Sequence, residues 1–410
     1  MPTQTRSLSI RAARSLVAEW AFPAITGDRV GLELEWLTRS PGAPVKLSEL
    51  RRLLSAVEPL PWHSVITYEP GGQVELSTPP LGSCSDAIRA AATDSDVVRS
   101  ALAASSIQTV GVGLDPDRSE DLVTDQERYV AMRAFFDARG PAGGRMMCTT
   151  AALHVNVDAG SDDEGTRRWQ LAHRLGPTLV AAFSNSPLLY GRPSGWKSAR
   201  FSAWIDIDPT RTAPAATARA GTASWVGYAL AANVMFIRTP DGFVPMSDDI
   251  SFDQWVTEGH PLGFPSADDL AYHLTTLFPP VRPQGRLELR MFDMLPDPWW
   301  RAAACVTTAL MHDADAGAAA WEATVGVDDL WVEAARYALD HPLLAASARS
   351  VFAAALDALG RIECDDESAR ATAAYFDRFV ARGRSPADER LSDYAATGEL
   401  YPTDQTVEAT

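Results

Sequence analysis

Along the chain, stretches with apolar residues at every second position alternate with longer runs at helical spacing. Successive side chains of a strand point to opposite faces. Residues 30–36 therefore place Leu32, Leu34 and Trp36 on one face and Glu33 and Glu35 on the other. Residues 64–69 group Val65, Thr67 and Glu69, and after the Pro70-Gly71-Gly72 turn signal a strand over 73–77 carries Glu75. Residues 148–158 set Leu153, Val155 and Val157 against His154, Asn156 and Asp158. Residues 286–292 set Leu287, Leu289 and Met291 against Glu288 and Arg290. Shorter strands are predicted at 107–114 and 234–237. Helical spacing covers 11–20, 47–57 (with Ser48 as a candidate cap), 85–105, 124–138, 163–183 and 267–278, where Ser266 and Asp269 make a capping-box signature. From 298 to about 382 the chain reads as nearly continuous, alanine-rich helix. Residues 189–204 fit no regular element and are rich in Arg, Lys and Trp, a composition that suits a binding loop. Strands early and helices late predict an α+β fold, an antiparallel sheet with helices on its apolar face. With no repeat and no linker, we expect one catalytic domain over 1–410, mostly helical beyond about 298.

Composition narrows the partners. The 410 residues are 46% hydrophobic and 22% charged, enough for a sizeable core, and the net charge is −17. Such a surface repels nucleic acid and anionic membranes, so neither is expected as a partner. No apolar run reaches the ~20 residues of a membrane span. The four cysteines (Cys84, Cys148, Cys305, Cys364) are far apart in sequence and form no CxxC pair, which argues against a disulfide framework or zinc ribbon and fits a reducing cytosol. The N-terminal residues show no signal-like apolar core. The expectation is a soluble, cytoplasmic protein; nothing in the pattern bears on its oligomeric state.

The polar faces carry the chemistry. Glu33 and Glu35 alone would suit a solvated strand edge, His154 alone a structural histidine, and Glu288 with Arg290 a surface ion pair. Taken together, Glu33, Glu35, Glu69, Glu75, His154, Asn156, Glu288 and Arg290 put five carboxylates on one sheet face, and these do not stay ionised side by side without cations. Carboxylates with one imidazole suit Mg²⁺, or Mn²⁺, rather than zinc or copper. Such ions share their coordination with substrate phosphates, so the pattern points to an ATP-using enzyme in which Arg290 neutralises a transferring phosphoryl group. Tyr190, Trp196, Lys197, Arg282 and Arg286 are candidates for substrate or phosphate contacts. Cys148 has the parity of His154 and is a candidate pocket residue, a small buried hydrophobe being the plainer reading.

The segments Gly31-Leu-Glu-Leu-Glu35, Glu69-Pro-Gly-Gly-Gln-Val-Glu75-Leu-Ser77, His154-Val-Asn156, Asn185-Ser-Pro187, Gly195-Trp-Lys-Ser198-Ala-Arg200 and Leu287-Glu288-Leu-Arg290-Met-Phe-Asp293 together resemble the glutamate–cysteine ligases. The similarity runs from about 28 to 300 and more loosely to 384–388. It is nearest the actinobacterial branch that makes γ-glutamylcysteine for ergothioneine synthesis. The resemblance implies a glutamine synthetase-like curved antiparallel sheet forming a funnel, two or three Mg²⁺ ions, and ATP, glutamate and cysteine as substrates. It implies one metal on Glu35, His154 and Glu288 and a second on Glu33, Glu69 and Glu75. It also implies Arg200 on the glutamate α-carboxylate, with Gln73, Asn156, Trp196 and Ser198 as further substrate contacts. Arg290 and Glu288 would serve the phosphoryl transfer, with Arg282 and Arg286 on the nucleotide. A ligase using a different acceptor amine is the alternative, and a non-catalytic metal- or nucleotide-binding protein a third reading.

Overall fold

The computed structural model describes residues 8–23, 27–41, 45–215 and 221–402. The alternating stretches become β1 (Val30–Arg39), β2 (Val65–Tyr68), β3 (Val74–Ser77), β4 (Gln108–Val110) and β5 (Ala152–Asp158). Two hairpins follow, β6 (Leu188–Leu189) with β7 (Arg192–Pro193) and β8 (Phe236–Thr239) with β9 (Gly242–Pro245), and then β10 (Val281–Pro283) and β11 (Arg286–Asp293). Seven strands form one sheet in the order β10-β11-β5-β1-β3-β2, with β4 paired to the last residues of β1, and every pairing is antiparallel. An antiparallel sheet can keep one face polar. Here Leu32, Leu34, Leu76, Leu153, Val155, Leu287 and Leu289 are buried on the opposite face. The helices Cys84–Ala103, Asp162–Ala182 and Trp299–His312 pack against β1, β11 and β5 there. Each fully buried Leu contributes about 1.5–3 kcal/mol, so a one-residue slip in any central strand would move that gain to the wrong face.

The expected α+β fold holds, and local differences have identifiable causes. Residues 148–151 are not strand: Ala142–Thr149 is a helix, so Cys148 loses the parity it was expected to share with His154. Its thiol is buried and pushed up to about 11, chiefly by burial, which makes it a packing residue. Gly71 lies flat against it; a Cβ on Gly71 would sit 2.1 Å from the Cys148 carbonyl oxygen, so two main chains touch where the Pro-Gly-Gly turn closes. The 189–204 stretch is more regular than expected, holding the β6–β7 hairpin and the short helix Ala199–Ile205. Ser48 is not a cap; the helix Leu47–Leu54 starts after Lys46 with no side-chain cap. Ser266 and Asp269 do form a capping box. Beyond Pro298 the chain is helical, including Pro342–Ala358, Asp366–Arg378 and Pro386–Thr397. The cysteines are free, yet three of them converge behind the sheet. Cys305 Sγ lies 3.3 Å from Cys364 Sγ, and Cys84 is hydrogen-bonded to Cys305. Among the described residues no helix is long and apolar enough to cross a membrane.

Candidate active site

The polar face of the sheet floors a cavity of about 270 Å³. Strand register decides which acids meet. Glu33 stands directly opposite His154 on β5, and Glu35 directly opposite Glu75 on β3. Across the next pairing Glu288 faces Asn156, and Arg282 faces Glu288. The resulting contacts fall into two groups. In the first, His154 Nδ1 is 2.8 Å from Glu33 Oε2 and 3.6 Å from Glu288 Oε1. In the second, Glu35 lies among Glu69 and Glu75 and accepts from the Ala152 amide at 2.6 Å. His154 joins the two, because its buried Nε2 has no hydrogen-bond partner and lies 3.8 Å from Glu35 Oε1.

The two groups differ in electrostatics. Burial alone would push Glu288 up, but Arg282 and Arg290 outweigh it and hold its carboxyl well below the usual range. Arg282 donates from Nε at 2.6 Å and from Nη2 at 3.0 Å, and Arg290 from Nη1 at 2.8 Å. Glu33 is likewise held down: burial and Glu288 push it up, and His154 and Arg290 prevail. In the second group the balance reverses. Burial, then Glu69 and Glu75, push Glu35 well up. Burial and Glu75 bring Glu69 to about 7, and burial and Glu33 raise Glu75 despite hydrogen bonds from Thr67 and Ser77. Burial lowers the His154 imidazole and Arg290 adds to that, which keeps it neutral and able to bind a cation.

This donor set fits hard divalent cations. Glu33, His154 and Glu288 each offer a ligand atom within 4.8 Å of one another. Glu35, Glu69 and Glu75 repel one another for want of a positive charge. The cation-rich wall faces them. Arg286 Nε donates to Asn156 Oδ1 at 2.7 Å, Asn156 Nδ2 to Glu33 Oε1 at 3.1 Å, and Arg286 Nη2 is 3.7 Å from Glu33. Arg200 is 2% exposed; Nη2 donates to the Arg290 carbonyl at 2.9 Å, while Nε and Nη1 have no hydrogen-bond partner.

Residues 29–408 match the family described as glutamate-cysteine ligase family 2. The chain is 40% identical over 380 residues to glutamate–cysteine ligase EgtA of Mycolicibacterium smegmatis, covering 90% of this chain and 88% of that one. It is also 40% identical over 357 residues to the enzyme of the same name from Mycobacterium tuberculosis, covering 84% and 82%. The chain belongs to the glutamate–cysteine ligase family. Its fold is shared with the crystal structure of a glutamate–cysteine ligase from Francisella tularensis in complex with AMP (TM-score 0.58, 14% identity, 93% of this chain and 87% of that one). It is also shared with a bifunctional glutathione synthetase from Pasteurella multocida (TM-score 0.52, 16% identity), of which the chain covers 95% of itself and 52% of the neighbour, about half that length.

In this ligase the cavity gathers Glu33, Glu35, Glu69, Glu75, His154, Glu288, Arg200, Arg282, Arg286, Arg290 and Gln73. Register sets Glu33 opposite His154 and Glu35 opposite Glu75, while the unpartnered His154 Nε2 lies 3.8 Å from Glu35 and Glu33 also bears on Glu69 and Glu75, so both acids adjoin both groups. Gln73 donates Nε2 to Thr150 O at 2.7 Å and leaves a buried Oε1 unpartnered. Asn156 orients Glu33 and Arg286 from the cavity's edge. Two expected substrate contacts are placed elsewhere. Ser198 is the N-cap of Ala199–Ile205, accepting from the Phe201 amide and donating to Asp293 at 2.8 Å; it builds the helix that carries Arg200. Trp196 lies outside the cavity beneath Arg336. Lys197 pairs with Asp340 and Asp388 and ties the 189–204 segment to the C-terminal helices, and Tyr190 is 56% exposed with its hydroxyl on Glu120. Arg128, Tyr129, Met132 and Met146 line the cavity without having been singled out; the regular spacing of their helices gave no hint of chemistry.

Proposed function

We propose that this ligase joins the γ-carboxylate of L-glutamate to the amine of L-cysteine at the expense of ATP, giving γ-glutamylcysteine. The names of the mycobacterial relatives support placing this product in ergothioneine-type thiol synthesis. The observation that carries the reading is Arg200: a buried guanidinium with two unpartnered donor positions, set in a cavity otherwise crowded with carboxylates. Its planar fork suits an α-carboxylate. The γ-carboxylate oxygen attacks the γ-phosphorus of ATP, ADP leaves, and the amine displaces phosphate from the acyl phosphate. Arg290 and Arg282, already clamped on Glu288, would present positive charge to the transferring group, and Arg286 would contact the nucleotide. Two or three Mg²⁺ ions (Mn²⁺ serving equally) would be held by Glu33, His154 and Glu288 and by Glu35, Glu69 and Glu75, supplying charge neutralisation and alignment of the phosphates. The chain would act as one catalytic unit, with the helices beyond Pro298 as scaffold. The four free thiols suit a cytoplasmic enzyme.

The test is phosphate release from ATP, Mg²⁺ and glutamate with each candidate amine supplied in turn. L-Cysteine should support turnover. Strong release with another amine and none with cysteine would replace the acceptor.

A further inference from the structure

The reaction brings two α-carboxylates into one cavity, and the cavity holds one more arginine than glutamate binding and phosphoryl transfer use. Arg282 and Arg290 are bound to Glu288, Arg286 to Asn156, and Arg200 has Asp293 at 3.8 Å. Arg128, on the helix Glu127–Asp137, lines the same cavity and makes no ion pair within 4.0 Å among the described residues. One guanidinium nitrogen donates to the Thr275 carbonyl at 3.2 Å, its face lies 5.2 Å over the Tyr272 ring, and its buried Nε has no partner. The head group is therefore steered by its neighbours and keeps a donor free, with no carboxylate among the described residues in direct contact.

The strands give the cavity a direction. Asn156 and Arg286 lie at one end of the β1–β5–β11 ladder. Glu35, at the Ala152 amide, and Gln73, at the Thr150 carbonyl, lie at the other. Arg128 belongs to this second end, where its charge bears on Glu69. Gln73 is 1% exposed, and its unpartnered Oε1 is an acceptor that an ammonium or amine would satisfy. Met132, one helical turn after Arg128, lines the same cavity as Met146 and Met147, and Gln73 Nε2 reaches the Met147 carbonyl at 3.5 Å, so methionines share the cavity with the two polar groups. A cationic fork, an amine acceptor and a small polarisable wall make up the complement of a thiol-bearing α-amino acid.

We propose that Arg128 binds the α-carboxylate of the acceptor amino acid, with Gln73 Oε1 on its amine, and so makes the enzyme select an amino acid over a simple amine. This rests on the reading of the enzyme as a glutamate–amino acid ligase. The experiment compares L-cysteine with cysteamine, which keeps the thiol and amine and lacks the carboxylate, in wild type, Arg128→Gln and Arg128→Lys. Loss of a charge-assisted contact predicts a rise of about 10- to 100-fold in KM for cysteine in Arg128→Gln. KM for glutamate and for ATP should stay unchanged, and cysteamine should be used equally by wild type and variant, with Arg128→Lys between the two. An unchanged KM for cysteine, a rise confined to glutamate, or wild-type enzyme that uses cysteamine as well as cysteine would each overturn the assignment. If Arg128→Gln does not fold, the cysteine-to-cysteamine preference of Arg128→Lys against wild type decides in the same terms. Failure of the broader reading looks different: wild-type enzyme would then ligate no cysteine at all.

Discussion

Replacing Arg200 with Gln isolates the residue on which glutamate recognition rests. The side chain is 2% exposed, donates to the Arg290 carbonyl at 2.9 Å, and leaves Nε and Nη1 unpartnered. Hydrogen bonds to a charged group contribute about 1.5–3 kcal/mol each. Losing two, even at the low end, is about 3 kcal/mol, or a rise of roughly 100-fold in KM for glutamate. The fold should tolerate the change. Asp293, the nearby carboxylate, keeps hydrogen bonds from the Asn185 amide (2.7 Å), Ser186 Oγ (2.7 Å) and Ser198 Oγ (2.8 Å). The variant also removes buried donors that cost stability in the empty site. Initial rates of phosphate release against glutamate at saturating ATP, with thermal melting in the presence and absence of glutamate, measure both effects. We expect weak glutamate use, a melting temperature close to wild type, and loss of the stabilisation that glutamate confers. A variant with normal glutamate KM and weakened ATP binding would refute the assignment.

Other substitutions probe the remaining links. Glu35→Gln and Glu288→Gln should both abolish ligation but move stability in opposite directions. Glu35 is crowded by Glu69 and Glu75, so its neutral replacement should leave the melting temperature equal or higher. Glu288 anchors Arg282 and Arg290, and losing it leaves buried charge unpaired at a cost of about 3–5 kcal/mol; wild-type rates in either variant would contradict the metal assignment. His173 and His273 are buried and pushed down to about 4 and about 3, chiefly by burial, from 6.5. Because the folded pKa values are depressed, their contribution is complete above about pH 6.5 and falls away as pH drops toward those values. The loss amounts to about 2 kcal/mol each by pH 5. Urea unfolding at pH 7.5 and pH 5 should show this loss, and His173→Asn should shrink it; an identical pH slope in the variant would count against it. Gly71→Ala would press a Cβ into the Cys148 main chain at 2.1 Å, displacing the turn that carries Glu69 and Gln73. Overpacking of this kind costs about 1–3 kcal/mol, so we expect a lower melting temperature together with lost activity, and unimpaired kinetics would show that the turn adapts.

The alternation of acids with Leu and Trp made the sheet's two faces legible, because the side-chain period of a strand is a local property. Which acids share a cation was not legible. That depends on the register between strands distant in sequence, which sets Glu33 opposite His154 and Glu35 opposite Glu75. The Cys148 parity failed because a helix ends just before β5, among residues whose alternation imitates a strand. Ser198 and Trp196 sit in the same motif as Arg200, but only Arg200 reaches the cavity, since Ser198 is consumed in capping the helix that aims it. Arg128 lies in the first turn of the helix Glu127–Asp137, and it lines the cavity only because that helix packs on the helix Ala142–Thr149 and the β8–β9 hairpin, contacts distant in sequence.

Transfer of an oxygen atom tests the account most directly. With glutamate labelled by ¹⁸O in the γ-carboxylate, together with ATP, Mg²⁺ and L-cysteine, the account predicts one labelled oxygen in each phosphate released and a γ-linked dipeptide as the product. Unlabelled phosphate accompanying dipeptide formation would contradict γ-glutamyl phosphate as the intermediate, and with it the alignment of carboxylate, ATP and arginines drawn from this cavity.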